Sequence, residues 1–355
     1  MTAIVHGGLR DSERAAMAAA GITPIDLSAS LNPYGPHPAV IAAARAAEVD
    51  RYPDPRALPL REAYAARPGG PVGCVLAGNG SSELIFLAMA ALAAGEDGPG
   101  RVLIAGPTFG EYSPAAKAAG ARTLEVRAGA PAFAVPVDEI VARIEAERPR
   151  VTVVCNPNNP TGQALPASAI EALTAAALAA GGWLLVDEAY VDFAGEGVST
   201  GPAPGRVVLR TLTKLHAIPG LRVGTALGPA AAIAEMERRQ PPWPVSAPAI
   251  AASLQALREA GFAGESIAAV AEARAVLEAG LRARGFAVPP SRANFVLAPA
   301  PGGDGGAFRA ALLPSGFVVR DCASFGLPGY VRMAVPRAEQ VGPLLAAIDR
   351  VREGS

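Results

Sequence analysis

The sequence predicts an α/β protein with a large domain built on a mostly parallel β-sheet and a smaller α+β domain. The chain has 355 residues, which exceeds the roughly 250–300 residues at which a single hydrophobic core stops growing. Hydrophobic residues make up 51% and charged residues 18% of the chain, a balance typical of globular proteins. In the middle of the chain, short β-rich runs alternate with helical stretches, as they do when parallel strands are joined by crossover helices.

The large domain is predicted over residues 41–245. Its strands are predicted in the runs GCVLAGNG, RVLIAGP, RVTVVCNPNNPTG, WLLVDEAYVDF and RVVLRTLTK. The helices between them are predicted in SSELIFLAMAALAA, around EYSPAAKAAG, and in PASAIEALTAAALAAG. Because these strands are apolar and separated by helices, we expect them to be buried in one parallel sheet.

The smaller domain is predicted to combine residues 1–40 with residues 246–355. A long helical stretch is expected from about Ala247 to Arg284, and the runs FAVPPSRANFVLA, FRAALLPSGFVVR and YVRMAV that follow contain strand patterns. The segment before Val40 is too short to fold alone, so we expect it to join this domain.

Composition excludes several function classes. The formal net charge is −1 and basic residues do not cluster, so nucleic acid is not an expected partner. The most apolar run, LIFLAMAALAAG, is shorter than the ~18–20 residues that span a bilayer, and the N-terminus lacks a secretion signal. The three cysteines and three histidines are scattered without metal-ligand or disulfide spacing. We therefore expect a cytoplasmic protein with no metal and no membrane partner.

Polar residues follow five of the predicted apolar runs. Ligands of open parallel sheets bind at the carboxyl ends of the strands, and we expect these loops to meet there. The loops are Asn79 to Ser81, Pro107 to Phe109, Asn156 to Gly162, Asp187 to Tyr190, and Thr211 to Lys214.

Lys214 is unusual because the chain otherwise uses arginine for its positive charges. Only Lys117 and Lys214 among the 31 basic residues are lysines. Arginine stays protonated in proteins, whereas a lysine amine can act as a nucleophile once its pKa is lowered. Lys214 is therefore a candidate for a Schiff base with an aldehyde, the alternative being an ordinary surface lysine.

A Schiff-base lysine in a parallel α/β protein points to pyridoxal 5′-phosphate, and the loops offer a partner for each part of that cofactor. Asp187 could keep the pyridine nitrogen protonated, and Tyr190 and Asn159 could hold the phenolic oxygen. The phosphate could lie at the helix start formed by Gly80, Ser81 and Ser82, with Arg222, Thr211 and Thr213 adding donors and Phe109 stacking on the ring. Each residue also has an ordinary explanation as a cap, turn or core residue, and the argument depends on their joint order along one sheet.

The motifs NPNNPTG, DEAYVDF and TLTKLHAIPGLRVG resemble those of fold-type I pyridoxal-phosphate enzymes, the class I/II aminotransferase family. Two branches fit: histidinol-phosphate aminotransferase and the threonine-phosphate decarboxylase of cobalamin biosynthesis. The second is favoured by HGG near the N-terminus and by DLSASLNPYGPHPAV, RYPDP and RRQPPWPVSAPA.

The resemblance implies the fold-type I fold and a role for each matching residue. Lys214 would bind the cofactor covalently, while Asp187, Asn159, Tyr190 and the phosphate-binding residues would hold it. Tyr52 would reach the phosphate of the neighbouring subunit, which implies a homodimer. The substrate would contact His6, Gly7, Ser30, Asn159, Arg320 and Arg332. Ser30 departs from the pattern, because we expect asparagine there.

The favoured expectation is decarboxylation of L-threonine O-3-phosphate to (R)-1-amino-2-propanol O-2-phosphate. The cofactor residues do not decide between decarboxylation and aminotransfer, because the bond that breaks is the one held perpendicular to the cofactor ring. Histidinol-phosphate aminotransfer is therefore kept as an alternative. A protein that binds the cofactor without turnover, acting as a regulator, is a third reading.

Overall fold

The computed structural model describes residues 7–67, 70–94 and 98–353. Its strands, in chain order, are β1 Ile25–Asp26, β2 Val75–Gly78, β3 Arg101–Gly106, β4 Arg122–Arg127, β5 Val151–Cys155, β6 Trp183–Asp187, β7 Arg206–Arg210, β8 Gly224–Leu227, β9 Phe295–Pro299, β10 Phe317–Val318, β11 Arg320–Asp321 and β12 Tyr330–Ala334. Its α-helices are α1 Asp11–Ala19, α2 Pro38–Arg45, α3 Leu58–Ala66, α4 Gly80–Leu92, α5 Tyr112–Ala118, α6 Val137–Glu147, α7 Ala167–Ala179, α8 Ala230–Glu237, α9 Ala247–Ala256, α10 Ala260–Ala283, α11 Gly305–Leu312 and α12 Ala338–Glu353.

The large sheet has the strand order β2-β8-β7-β6-β5-β3-β4. All its neighbours pair in parallel except β8, which is antiparallel to both β2 and β7. The prediction of an α/β fold with a mostly parallel sheet is therefore confirmed.

Strands β2, β3, β5, β6 and β7 were predicted from the sequence, but β4 and β8 were not. The edge strand β4 is only partly buried, and β8 is four residues long, so neither carries a strong apolar signal.

Both faces of this sheet are covered by helices. Alternate strand residues belong to two separate apolar cores: Leu103 and Val154 lie in one, and Val102 and Val153 lie in the other. This alternation follows from the two-residue repeat of a β-strand. Helices α6, α7 and α9 contribute to the first core, while α4, α5 and α8 contribute to the second. The result is a three-layer arrangement whose carboxyl strand ends stay open to ligands.

The C-terminal part forms a second sheet with the antiparallel order β11-β12-β9. The N-terminal segment reaches this part of the molecule, because β1 pairs in parallel with β10. A third core combines Leu27 with Leu277, Leu281 and Phe317. The limits of the two domains, residues 41–245 against residues 1–40 and 246–355, stay a prediction.

The long helix expected from Ala247 to Arg284 is instead two helices, α9 and α10. The chain leaves helical geometry at Glu259, which has φ −87° and ψ 50°. The two helices serve different cores: α9 packs in the first core and α10 in the third. No proline lies at the break, so the sequence did not signal it. Among the described residues, no helix is both long enough and apolar enough to cross a bilayer.

Leu277 tests the third core. It is fully buried on α10, whereas its neighbour Val276 is 59% exposed. Replacing a buried leucine by alanine leaves a cavity and costs about 2–5 kcal/mol, so Leu277→Ala should lower the free energy of unfolding by that amount in urea denaturation. Val276→Ala is the matched control and should change it by less than about 0.5 kcal/mol. Equal effects of the two substitutions would contradict the placement of α10.

Candidate active site

A cavity of about 690 Å³ lies at the carboxyl ends of the large sheet's strands. All five loops expected to converge contribute to its lining. Their contributions are Gly80 and Ser81, Phe109, Asn159, Asp187 with Ala189 and Tyr190, and Thr213 with Lys214. The opposite wall comes from the N-terminal segment and from the C-terminal strands, so the cavity lies between the two parts of the chain.

Lys214 lines this cavity, and its pKa is lowered. Burial, reinforced by the charges of Arg332 and Arg222, lowers the pKa of Lys214 to about 8, and Asp187 opposes that shift. Its Nζ lies 5.8 Å from the centre of the Tyr190 ring. A lysine amine with this pKa is partly unprotonated near neutral pH, which is the form that attacks an aldehyde.

Asp187 ends β6 with its side chain buried, at 3% exposure. Its Oδ2 accepts a hydrogen bond of 2.8 Å from the Tyr112 hydroxyl, and its Oδ1 accepts one of 3.1 Å from the Ala189 N–H. Burial raises the pKa of Asp187, while these two donors and Lys214 act in the opposite direction. Tyr112 was not among the site residues predicted from the sequence. It could have been found from its place in the sequence, three residues after Phe109, which lies in a loop that was expected to reach the site. A buried tyrosine hydroxyl usually has a hydrogen-bond partner.

Tyr190 and Asn159 both line the cavity. Burial raises the pKa of Tyr190 to about 12, so its hydroxyl stays a hydrogen-bond donor at neutral pH. The amide oxygen of Asn159 accepts a hydrogen bond from Arg332 Nη1, which leaves the amide N–H₂ for another acceptor. Ser30 is 2% exposed and lies beside Tyr190, but within the described part of the chain its hydroxyl has no hydrogen bond of good geometry.

The start of α4 forms an anion cradle. Gly80 has φ +77°, and a Cβ there would lie 2.5 Å from Arg222 Nη2, so glycine lets the guanidinium lie against the helix start. A Cβ on Gly224 would lie 2.9 Å from the Ser81 nitrogen, which makes this second glycine necessary for the same close approach. A helix N-terminus beside a guanidinium is suited to a phosphate.

The hydroxyl residues predicted for the cradle divide into two groups. Ser81, Ser82 and Thr213 line the cavity, whereas Thr211 does not. The Thr211 hydroxyl instead donates a 2.8 Å hydrogen bond to the Val223 carbonyl and lies 2.9 Å from the Thr213 hydroxyl. Thr211 therefore ties the lysine loop to the segment that carries Arg222.

Two buried arginines form the far end of the cavity. Arg320 and Arg332 are directly opposite each other on β11 and β12, and they are 7% and 5% exposed. Arg332 Nη2 donates to the Ser28 carbonyl at 2.6 Å, and its Nε has no hydrogen-bond partner among the described residues. Arg320 Nη2 donates to Ser324 at 2.8 Å. Like charges on opposite strand positions repel, so this end of the cavity is suited to an anionic ligand.

The N-terminal segment closes the same end. The Gly8 N–H donates to Ser28 Oγ at 2.8 Å, and the Leu9 N–H donates to Asp26 Oδ2 at 2.9 Å. A Cβ on Gly7 would lie 2.2 Å from the Ser28 carbonyl, so only glycine allows this contact. His6, which was predicted to contact the substrate, lies outside the described residues.

Tyr52 does not line the cavity of its own chain. It is 80% exposed and its ring packs 4.7 Å from that of Trp243. This position leaves its predicted role, which requires a second subunit, as a prediction.

Residues 22–348 match the family of class I and II aminotransferases. The chain belongs to this family. It is 35% identical over 338 residues to a histidinol-phosphate aminotransferase of Anaeromyxobacter sp., covering 92% of this chain and 90% of that protein. An Erwinia carotovora atroseptica structure, provisionally named a histidinol-phosphate aminotransferase, superposes with a TM-score of 0.85 at 26% identity, covering 93% of this chain and 96% of the other.

The comparisons confirm the fold-type I fold and the family, but not the favoured branch. The relatives named here are histidinol-phosphate aminotransferases rather than threonine-phosphate decarboxylases. A structure of the histidinol-phosphate aminotransferase of Sinorhizobium meliloti in complex with pyridoxal 5′-phosphate shares the fold, with a TM-score of 0.83 at 21% identity, covering 98% of this chain and 96% of the other. Membership of this family confirms pyridoxal 5′-phosphate as the expected cofactor.

The cavity fits that cofactor on its own observations. The glycine cradle at Gly80 provides for a phosphate, and a buried carboxylate and an amine of lowered pKa lie within the same cavity. The described residues contain no group of three His, Cys, Asp or Glu side chains that could hold a metal.

The lowered pKa of Lys214 can be measured in the apoprotein. Brief labelling with acetic anhydride between pH 6 and 10 should reach half its maximal rate at Lys214 near pH 8. The labelling of Lys117, the other lysine, is measured in the same mass spectra and corrects for changes in reagent reactivity with pH.

The same shift has a consequence for stability. The folded pKa lies below the ordinary value of 10.5, so the unfolded chain binds more protons between about pH 8 and 10.5. The contribution of Lys214 to the free energy of unfolding should therefore rise with pH across that window.

In the labelling experiment, a reaction of Lys214 that begins only above pH 10 would contradict its buried placement.

Proposed function

We propose that this chain is a pyridoxal-phosphate enzyme that acts on a small phosphorylated amine, with aminotransfer from histidinol phosphate as its reaction. The observation that carries the proposal is the meeting of Lys214 and Asp187 in one cavity that has an anion cradle at one end and two buried arginines at the other. The similarity to histidinol-phosphate aminotransferases at about 34–35% identity over 92% of the chain supports the substrate.

When bound, pyridoxal 5′-phosphate supplies an aldehyde that joins an amine and a ring that accepts electrons from a bond broken at the amine-bearing carbon. The chain holds it with a set of side chains that matches its polar groups. Asp187 would pair with the ring nitrogen, Asn159 and Tyr190 with the phenolic oxygen, and Phe109 would provide a stacking surface. Gly80, Ser81, Ser82, Thr213 and Arg222 would hold the phosphate, and Thr211 would support the last two through its contacts with Thr213 and the Val223 carbonyl.

Lys214 has a second role as a proton carrier. The lowered pKa of Lys214 would allow its amine to take up and return a proton near neutral pH. The Asn159–Arg332 pair and the N-terminal segment around Gly7 orient the substrate and restrict water at the far end of the cavity.

Decarboxylation of threonine phosphate is the second candidate, and a specific observation favours it. Arg320 and Arg332 both face the cavity, and they are separate from the Arg222 cradle. Two guanidinium groups suit a substrate with both a phosphate and a carboxylate. Threonine phosphate has both groups, whereas histidinol phosphate has only the phosphate. In an aminotransferase, the second guanidinium group would instead bind a carboxylate of glutamate or 2-oxoglutarate, the other substrate.

The active form is proposed to be a homodimer. Tyr52 and Trp243 are exposed at 80% and 45%, and their ring centroids lie 4.7 Å apart at an interplanar angle of 30°. Burial of this aromatic pair against a second copy would remove apolar surface from water and would allow Tyr52 to reach the partner's phosphate cradle.

Product analysis separates the candidate reactions. The purified holoenzyme is incubated with histidinol phosphate and 2-oxoglutarate, and separately with threonine phosphate. We expect glutamate in the first sample, because the amino group passes to 2-oxoglutarate, and no CO₂ in the second. CO₂ from threonine phosphate without glutamate formation would replace aminotransfer by decarboxylation. A protein that binds the cofactor and turns over neither substrate would indicate a regulator.

The lysine assignment has its own test. Lys214→Arg retains the positive charge but cannot join the aldehyde, so turnover should fall by about 10³-fold or more. Borohydride should no longer fix the cofactor to the chain, as measured by intact mass. Lys117→Arg is the control and should leave both properties unchanged. Normal turnover of Lys214→Arg would overturn the assignment.

A further inference from the structure

Asp187 is held by a side chain outside the expected cofactor set. The Tyr112 hydroxyl donates a 2.8 Å hydrogen bond to its Oδ2, and the Ala189 N–H occupies one position on Oδ1. A carboxylate has about four acceptor positions, so each oxygen retains one for a ligand in the cavity. The two donors therefore fix the carboxylate plane without blocking its open side.

Tyr112 also contacts the residue proposed to stack on the cofactor ring. Its ring meets the edge of Phe109 at 5.8 Å between centroids and an interplanar angle of 80°. Tyr112 begins α5 and is 0% exposed, so its position is set by packing in the second core. One side chain thus links the carboxylate and the stacking surface that would hold the same ring.

The hydrogen bond has a defined direction. Burial raises the pKa of Tyr112 well above its usual value, so the hydroxyl keeps its proton and acts as the donor. That donation lowers the pKa of Asp187 against the effect of burial. The other groups that face this site are the Cys155 thiol, whose pKa burial also raises, and the Lys214 amine.

We propose that Tyr112 is a positioning residue that keeps Asp187 ionised and aimed at the ring nitrogen, and thereby keeps that nitrogen protonated. Without the Tyr112 hydroxyl, Asp187 would become the more basic partner and would draw the proton from the ring. A ring that loses this proton is a weaker electron acceptor, so the chemical step slows while substrate binding is unaffected. This inference rests on the proposed cofactor, but not on which phosphorylated amine is the substrate.

The test uses holoenzyme reconstituted with pyridoxal 5′-phosphate labelled with ¹⁵N in the ring. In Tyr112→Phe, the ring nitrogen resonance should shift toward the unprotonated position at pH 8. With whichever substrate the wild type accepts, kcat should fall by about 10–100-fold, as it does when outer partners of a functional ligand are removed, while KM stays within about threefold. Tyr330→Phe is the matched control, because Tyr330 makes a similar edge contact with Phe133 at 5.3 Å and 84° outside the cavity lining.

The outcomes are distinct. An unchanged resonance in Tyr112→Phe, with or without a loss of thermal stability, would show that Tyr112 has only a structural role. It would overturn this inference and leave the proposed cofactor intact. A wild-type protein that binds no pyridoxal 5′-phosphate would overturn the proposed cofactor and this inference together. If Tyr112→Phe does not fold, Tyr112→Met removes the same donor with a flexible side chain that can fill the space, and the same readouts decide. In an Asp187→Asn background, Tyr112→Phe should cause no further shift.

Discussion

The site depends on the burial of an amine and a carboxylate in one cavity. Burial acts on the two groups in opposite directions, because it lowers the pKa of Lys214 and raises that of Asp187. Each shift disfavours the charged form. Hydrogen-bond donors around Asp187 limit the rise of its pKa, whereas the cations near Lys214 lower the pKa of the amine further. The chain thereby places an amine of lowered pKa and a carboxyl group held by two hydrogen-bond donors in the same cavity.

The sheet makes this arrangement possible. Asp187 ends β6 and Lys214 follows β7, and these strands pair in parallel with Asp187 opposite Leu209. Parallel neighbours bring their carboxyl ends to the same edge, so residues distant in sequence meet there. The anion cradle at Gly80 joins the same edge because β2 runs parallel to β7, with β8 antiparallel between them.

The far end of the cavity is assembled from the two ends of the chain. Arg332 on β12 donates to the Ser28 carbonyl, and Ser28 in turn accepts from the Gly8 N–H. The anion-binding end is therefore completed only when the N-terminal segment lies on the C-terminal sheet. This coupling explains how a short segment without a core of its own comes to line the cavity.

The sequence by itself determined the fold class, the family and most of the cavity lining, because strand-end loops of a parallel sheet share one edge whatever their separation in sequence. Lys214, Asp187, Asn159 and Tyr190 were found in this way. Tertiary structure decided what one-dimensional patterns do not contain: the break between α9 and α10, the turning of Thr211 away from the cavity, and the hydrogen bond from Tyr112 to Asp187. These depend on which core a helix packs against and which buried partner a polar group finds, and both are set by contacts between segments far apart along the chain.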